Sequence, residues 1–201
     1  MRVAIIDRHP AMRAGIEAIL ERAPGVEVVA TAGGDDQEVA HALYRTAPDV
    51  VMVEDEPGRA DGIELARQIK ALGSRPKILL HADRPNAFQV AGAMLADADG
   101  MLDSAAQPRE ILEALRTVAT GGTVFPGLSA RERRELARRL PAEDHAILAM
   151  RLAATPRREV AETLRMDARA LGRRVAAMIA SLRAAATLNP GPPRGAAPGA
   201  A

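Results

Sequence analysis

Pro48-Asp49-Val50-Val51-Met52-Val53-Glu54-Asp55-Glu56 is the stretch on which the fold turns. Four consecutive apolar residues between a Pro-Asp start and an acidic stop read as a strand. Similar runs recur at residues 3–6, 26–30 and 78–80, with a weaker fifth at 101–102. Helical patterns fill the gaps, over residues 12–20, 38–43, 63–72, 88–95 and 111–118. Strands alternating with helices predict an α/β fold with a doubly wound parallel sheet, because parallel strands need crossover connections. In such sheets sites gather at the carboxyl ends of the strands, which singles out Asp7, Glu54, His81 and the Asp103-Ser104 pair.

The chain has 201 residues, 48% of them hydrophobic, enough for one ordinary core and a small second domain. It contains no cysteine, which excludes disulfides and thiolate-held metals. Apolar runs such as residues 50–53 are too short to span a bilayer, and the N-terminus opens on a strand pattern rather than a signal peptide. A soluble, cytoplasmic protein is the expectation. The net charge of +1 conceals an asymmetry: residues 1–126 hold 13 Lys+Arg against 19 acids, and residues 127–186 hold 13 Arg against 7. A basic second half suits a polyanion partner, although a solvated helix face looks the same by composition.

Val3-Ala4-Ile5-Ile6-Asp7, the stretch from Pro48 to Glu54, Asp61-Gly62, Ala98-Asp99-Gly100-Met101-Leu102, Pro108-Arg109-Glu110-Ile111-Leu112 and Thr120-Gly121-Gly122-Thr123 follow one another in order. Together they resemble the receiver domain of response regulators of the NarL/FixJ class over residues 1–122. The resemblance implies a flavodoxin-like sheet and a phosphoryl-accepting pocket. Transfer of a phosphoryl group to a carboxylate needs Mg²⁺ and hard oxygen ligands, so the family sets two adjacent acids after strand one. Here Asp7 is followed by Arg8. Glu54 stands at the acceptor position, where its extra methylene could imitate a permanently modified aspartate. His81 replaces the hydroxyl residue after strand four, and Ser104 the lysine after strand five. The pocket is thus expected to be degenerate, built from Glu54, Asp7, Arg8, His81 and Ser104, with no catalytic residue, cofactor or metal. Asp55 is a weaker acceptor candidate, since a one-residue shift turns its side chain away from the pocket. The run Glu54-Asp55-Glu56 also reads as a solvated acidic loop, His81 as a plain strand-end cap, and a metal site from His9, His81 and carboxylates lacks a supporting ligand spacing.

Residues 123–139 read as a connector carrying a charged helix. From Leu140 the chain resembles a LuxR-type helix-turn-helix domain, in the register that places Glu159, Val160, Ala161, Leu164, Leu171, Val175 and Leu182 on family positions. Helices are expected over residues 142–152, 156–164 and 168–182, with Pro156 opening the second and Asp167 capping the third. The third would enter a major groove, with Arg169, Arg173 and Arg174 as contacts, while Thr155, Arg157 and Arg158 grip the backbone. Gly172 weakens that helix by about 1 kcal/mol relative to alanine. After Arg183 the family's fourth helix is expected to be missing, and the tail, residues 187–201, to be disordered.

The resulting reading is a small all-α helix-turn-helix domain, over residues 140–186, behind the α/β receiver. Its partner would be double-stranded DNA, and no nucleophile-base pair or phosphate loop suggests an enzyme. A homodimer through receiver or connector, and a partner protein or small ligand at the receiver, are further partners the reading admits. The rival is an interaction module whose basic half binds a transcription-related protein and has little DNA affinity.

Overall fold

The computed structural model describes residues 1–34, 36–73 and 76–188. Five strands, β1 (Arg2–Ile6), β2 (Glu27–Ala32), β3 (Val50–Glu54), β4 (Lys77–Ala82) and β5 (Gly100–Asp103), form one sheet in the order β2-β1-β3-β4-β5. All pairings are parallel. This is the flavodoxin-like order, which reverses direction between β1 and β3. The central strand β3 is buried along its whole length, as its unbroken apolar run requires.

Helices α1 (Pro10–Leu20) and α5 (Pro108–Ala119) cover one face of the sheet. There Ile16, Leu20, Ile111, Leu115 and Val118 pack on Val3, Ile5, Val50, Met52 and Leu79. On the other face lie α2 (Asp36–Thr46), α3 (Gly62–Leu72) and α4 (Ala87–Leu95). Gly62 opens α3 because nothing larger fits: a Cβ there would stand 2.2 Å from the Glu54 carbonyl oxygen. The Asp61-Gly62 pair therefore locks the loop that follows β3, with Asp61 Oδ1 accepting the Glu64 N–H at 2.8 Å.

Beyond residue 126 come α6 (Ala130–Arg138), the one-turn 3₁₀ helix Ala142–Asp144, α7 (His145–Leu152), α8 (Arg157–Thr163) and α9 (Ala168–Leu188). Ser129 and Glu132 cap α6 reciprocally. Asp167 caps α9 through the Ala170 N–H at 2.7 Å. Pro156 is the residue before α8 rather than its first, and the first expected helix begins as the 3₁₀ turn.

Two expectations are corrected. The third helix does not stop at residue 182: Ala184, Ala185, Ala186, Thr187 and Leu188 continue it, in keeping with alanine's helix propensity. The expected tail thus begins as ordered helix at Thr187 and Leu188, while its remainder, residues 189–201, lies outside the described residues. Nor do the C-terminal helices close on a separate small core. Leu136, Ile147, Val160, Leu171, Val175, Met178, Leu182 and Ala186 belong to the same apolar cluster as α3, α4 and one face of the sheet. Helix α4 explains the merger. Phe88, Gln89, Val90, Ala91, Gly92, Ala93 and Leu95 are all buried, because α4 is apolar around most of its circumference and is covered on both sides.

Candidate functional site

β1 and β3 run side by side, with Ile6 opposite Val53, so the residues following β1 meet Glu54 at one rim of the sheet. Glu54 is 9% exposed and both its oxygens are engaged. Oε2 accepts the Arg8 backbone N–H at 2.9 Å and lies 3.5 Å from Arg8 Nε. Oε1 lies 2.7 Å from His9 Nδ1. The Arg8 guanidinium continues to Glu56 Oε2 at 2.6 Å. Asp7 is buried; its Oδ1 accepts the His9 backbone N–H at 2.6 Å, and its carbonyl accepts from Arg13.

His81 pairs with Glu54 across β3 and β4. Its Nδ1 lies 3.3 Å from Ser104 Oγ and its Nε2 3.4 Å from Asp7 Oδ2. Burial pushes the imidazole pKa down to about 4 against the pull of Glu54 and Asp55, so His81 is neutral at neutral pH. Asp7, Glu54, His81 and Ser104 line one cavity of about 480 Å³. Arg8 lines the adjoining cleft together with Asp7, Glu54 and Asp61. All five residues expected in the pocket are gathered, and His9 joins them.

The family's chemistry implies magnesium here. Mg²⁺ takes oxygen ligands in near-octahedral array. In this pocket Arg8 replaces the second acid and occupies one Glu54 oxygen, while an imidazole faces the other. The donor set does not fit magnesium.

The acidic run after β3 is not a solvated loop. Asp55 is 1% exposed. Its Oδ1 accepts the Ile63 N–H at 3.2 Å and lies 2.8 Å from Arg183 Nη1, and its Oδ2 accepts from Gln89 Nε2 at 3.0 Å. Arg183 comes from α9, and the same Nη1 lies 2.9 Å from Asp61 Oδ1. Burial raises the Asp61 carboxyl pKa. Ala186 and Thr187, one turn further on, line the pocket itself.

A second tie joins the two halves at the other end of α4. Arg151 of α7 is 7% exposed and donates to the Met94 carbonyl at 2.7 Å and to Asp97 Oδ1 at 2.5 Å. Arg157 Nε lies 3.1 Å from Asp97 Oδ2. Burial lowers the Arg151 pKa and raises that of Asp97, each opposed by the other's charge. Asp97 sits at φ +63°, in the left-handed region, where its turn aims the carboxylate at these arginines.

The expected nucleic-acid contacts divide by environment. Arg169 and Arg173 are exposed and make no ion pair among the described residues. Arg158 is exposed and pairs with Glu162 one turn along α8 at 2.8 Å. Arg174 is half-buried and holds Asp144 at 2.6 Å, whereas Arg157 is spent on Asp97. Thr155 gives its carbonyl to Arg151 Nη1 at 2.5 Å. Sequence reasoning missed Arg183, Arg151 and Asp97 altogether. The available signal was α4, whose apolar circumference demands a cover on its outer side.

Residues 3–116 match the response regulator receiver domain, and the chain belongs to that family. The nitrate/nitrite response regulator NarP of Escherichia coli is 32% identical over 124 residues, 62% of this chain and 57% of NarP. The chain thus spans under two thirds of that relative's length. A LuxR-family two-component response regulator from Aurantimonas sp. superposes with a TM-score of 0.57 at 28% identity, over 68% of this chain and 95% of the other. RcsB of Salmonella enterica, in its structure bound to promoter rprA, shares the fold over 94% of this chain and 96% of its own, with a TM-score of 0.58 at 23% identity.

Proposed function

We propose that this protein is a DNA-binding transcriptional regulator of the response-regulator type, not an enzyme, and that ordinary aspartyl phosphorylation does not control it. Residues 1–122 serve as the receiver, 123–139 as the connector and 140–186 as the DNA-reading unit. The observation that carries the reading is the engagement of Glu54. Its two oxygens are taken by Arg8 and His9, so the acceptor position holds a carboxylate already partnered by fixed cations and donors, where phosphoryl chemistry needs a free one beside a metal. Support for DNA binding comes from the positions of Arg169 and Arg173, exposed on the first turns of a helix that follows a short turn, as in helix-turn-helix readers. Among the described residues no helix is long and apolar enough to cross a membrane, which suits a regulator working on DNA.

The test is capture of genomic fragments by the full-length protein and by an Arg169→Ala/Arg173→Ala variant, each with and without acetyl phosphate and Mg²⁺. The reading expects a discrete motif enriched by the parent, lost in the variant and indifferent to acetyl phosphate. Enrichment that appears only with the phosphodonor would overturn the second part of the reading. Absence of enrichment in every arm, together with salt-tolerant capture of a protein partner, would favour the interaction module instead.

A further inference from the structure

We propose that Asp7, His9 and Glu54, completed by His81, form a binding site for a divalent transition-metal ion of the zinc class. One ligand atom from each of Asp7, His9 and Glu54 lies within 4.8 Å of the other two. The separations are 2.7 Å between His9 Nδ1 and Glu54 Oε1, and 3.4 Å between His9 Nδ1 and Asp7 Oδ1. Ligands at the usual zinc distances on a tetrahedron stand about 3.3 Å apart. These side chains are therefore already close to the edges of a coordination polyhedron.

An independent observation points to a missing occupant. Asp7 Oδ2 and His81 Nε2 are both buried and both without a hydrogen-bond partner, on residues that are 1% and 3% exposed. They face each other across 3.4 Å. An unsatisfied buried polar atom costs about 1–3 kcal/mol, and here two stand together at the cluster. A cation ligated by both would satisfy both.

The departures from the family pattern fit one purpose under this reading. Imidazole and carboxylate together suit zinc, copper or nickel rather than magnesium, which keeps to oxygen. Ser104, in place of a lysine, stands 3.3 Å from His81 Nδ1. There it can accept the Nδ1–H and leave Nε2 bare towards Asp7, the arrangement that orients most metal-bound histidines. Ser104 is thus a positioning residue. Arg8 holds Glu54 Oε2 and leaves Oε1 to the metal.

The proposal does not depend on DNA binding and is tested without it. The full-length chain, stripped with a chelator, is titrated with zinc chloride by calorimetry and, separately, with Co²⁺ followed by visible absorption. One Zn²⁺ per chain is expected, with tetrahedral-type Co²⁺ bands and no comparable heat from Mg²⁺. His9→Gln and His81→Gln should each weaken zinc binding by at least about 10-fold, and Ser104→Ala by about 10-fold with altered Co²⁺ bands. His9 is half exposed, so His9→Gln leaves the core untouched, and circular dichroism of each stripped variant verifies its fold. No zinc uptake by the parent would overturn the proposal. So would undiminished uptake by a folded His9→Gln/His81→Gln double variant, which would place the ion on the remaining histidines, His41 or His145.

Discussion

The two ends of α9 carry the same side chain to opposite ends. Near the N-terminus Arg169 and Arg173 stand in water with no ion pair among the described residues. Near the C-terminus the Arg183 side chain is 17% exposed and shared between Asp55 and Asp61. Residue type does not decide between these fates. What decides is the facing surface: solvent at one end, and at the other a buried carboxylate that must be neutralised or paired. An arginine-rich helix is therefore not uniformly a nucleic-acid surface, and part of its charge is structural.

The largest expected effect lies at the buried end. Arg183→Ala would leave Asp55 charged and unpaired, and should cost about 3–5 kcal/mol of stability in urea unfolding. The Asp55→Leu/Arg183→Met double variant should recover most of that loss, because an apolar pair of similar volume often substitutes for a buried ion pair without penalty. A loss from Arg183→Ala under 1 kcal/mol would erase the contrast between the two ends.

The buried end should also be sensitive to acid. The pKa of His81 falls to about 4 on folding, from 6.5, so the unfolded chain binds the extra proton between these values. Stability contributed by neutral His81 is complete above pH 6.5 and is lost as pH falls towards 4, by about 3 kcal/mol in all. Unfolding at a series of pH values in the presence of chelator should show that slope in the parent and a flatter one in His81→Gln.

At the exposed end the expectation inverts. Arg169→Ala and Arg173→Ala should leave stability within about 0.5 kcal/mol while each weakening binding to the captured motif by about 1–3 kcal/mol. Fluorescence anisotropy with motif and scrambled duplexes separates a base contact, which relaxes specificity, from a phosphate contact, which weakens both duplexes alike. Arg158→Ala, which breaks only an exposed i,i+4 pair with Glu162, should shift stability by no more than about 0.5 kcal/mol.

Much of the first domain was legible because its physics is local. Each strand announced itself as an apolar run, Asp61-Gly62 marked a close approach, and the departures at Arg8, Glu54, His81 and Ser104 could be read residue by residue. What escaped was long-range pairing. Asp55 and Arg183 are 128 residues apart, and nothing in either neighbourhood names the other. Period-two alternation correctly turned Asp55 away from Glu54's side, yet it could not say that another arginine waited there. The length of α9 was misjudged for a related reason: a run of alanines reads equally as linker or as helix, and the buried Ala185 and Ala186 resolve it only once the surface they pack on is known.

The unbroken course of α9 has a mechanical consequence. From Arg169 to Arg183 a single helix rises about 21 Å at 1.5 Å per residue, with no proline and only Gly172 as a soft spot. A beam of that stiffness carries displacement from one end to the other without absorbing it. Anything that lifts the Arg183 end out of its acidic socket swings the Arg169 end as well, so the pocket and the reading surface are two grips on one rod.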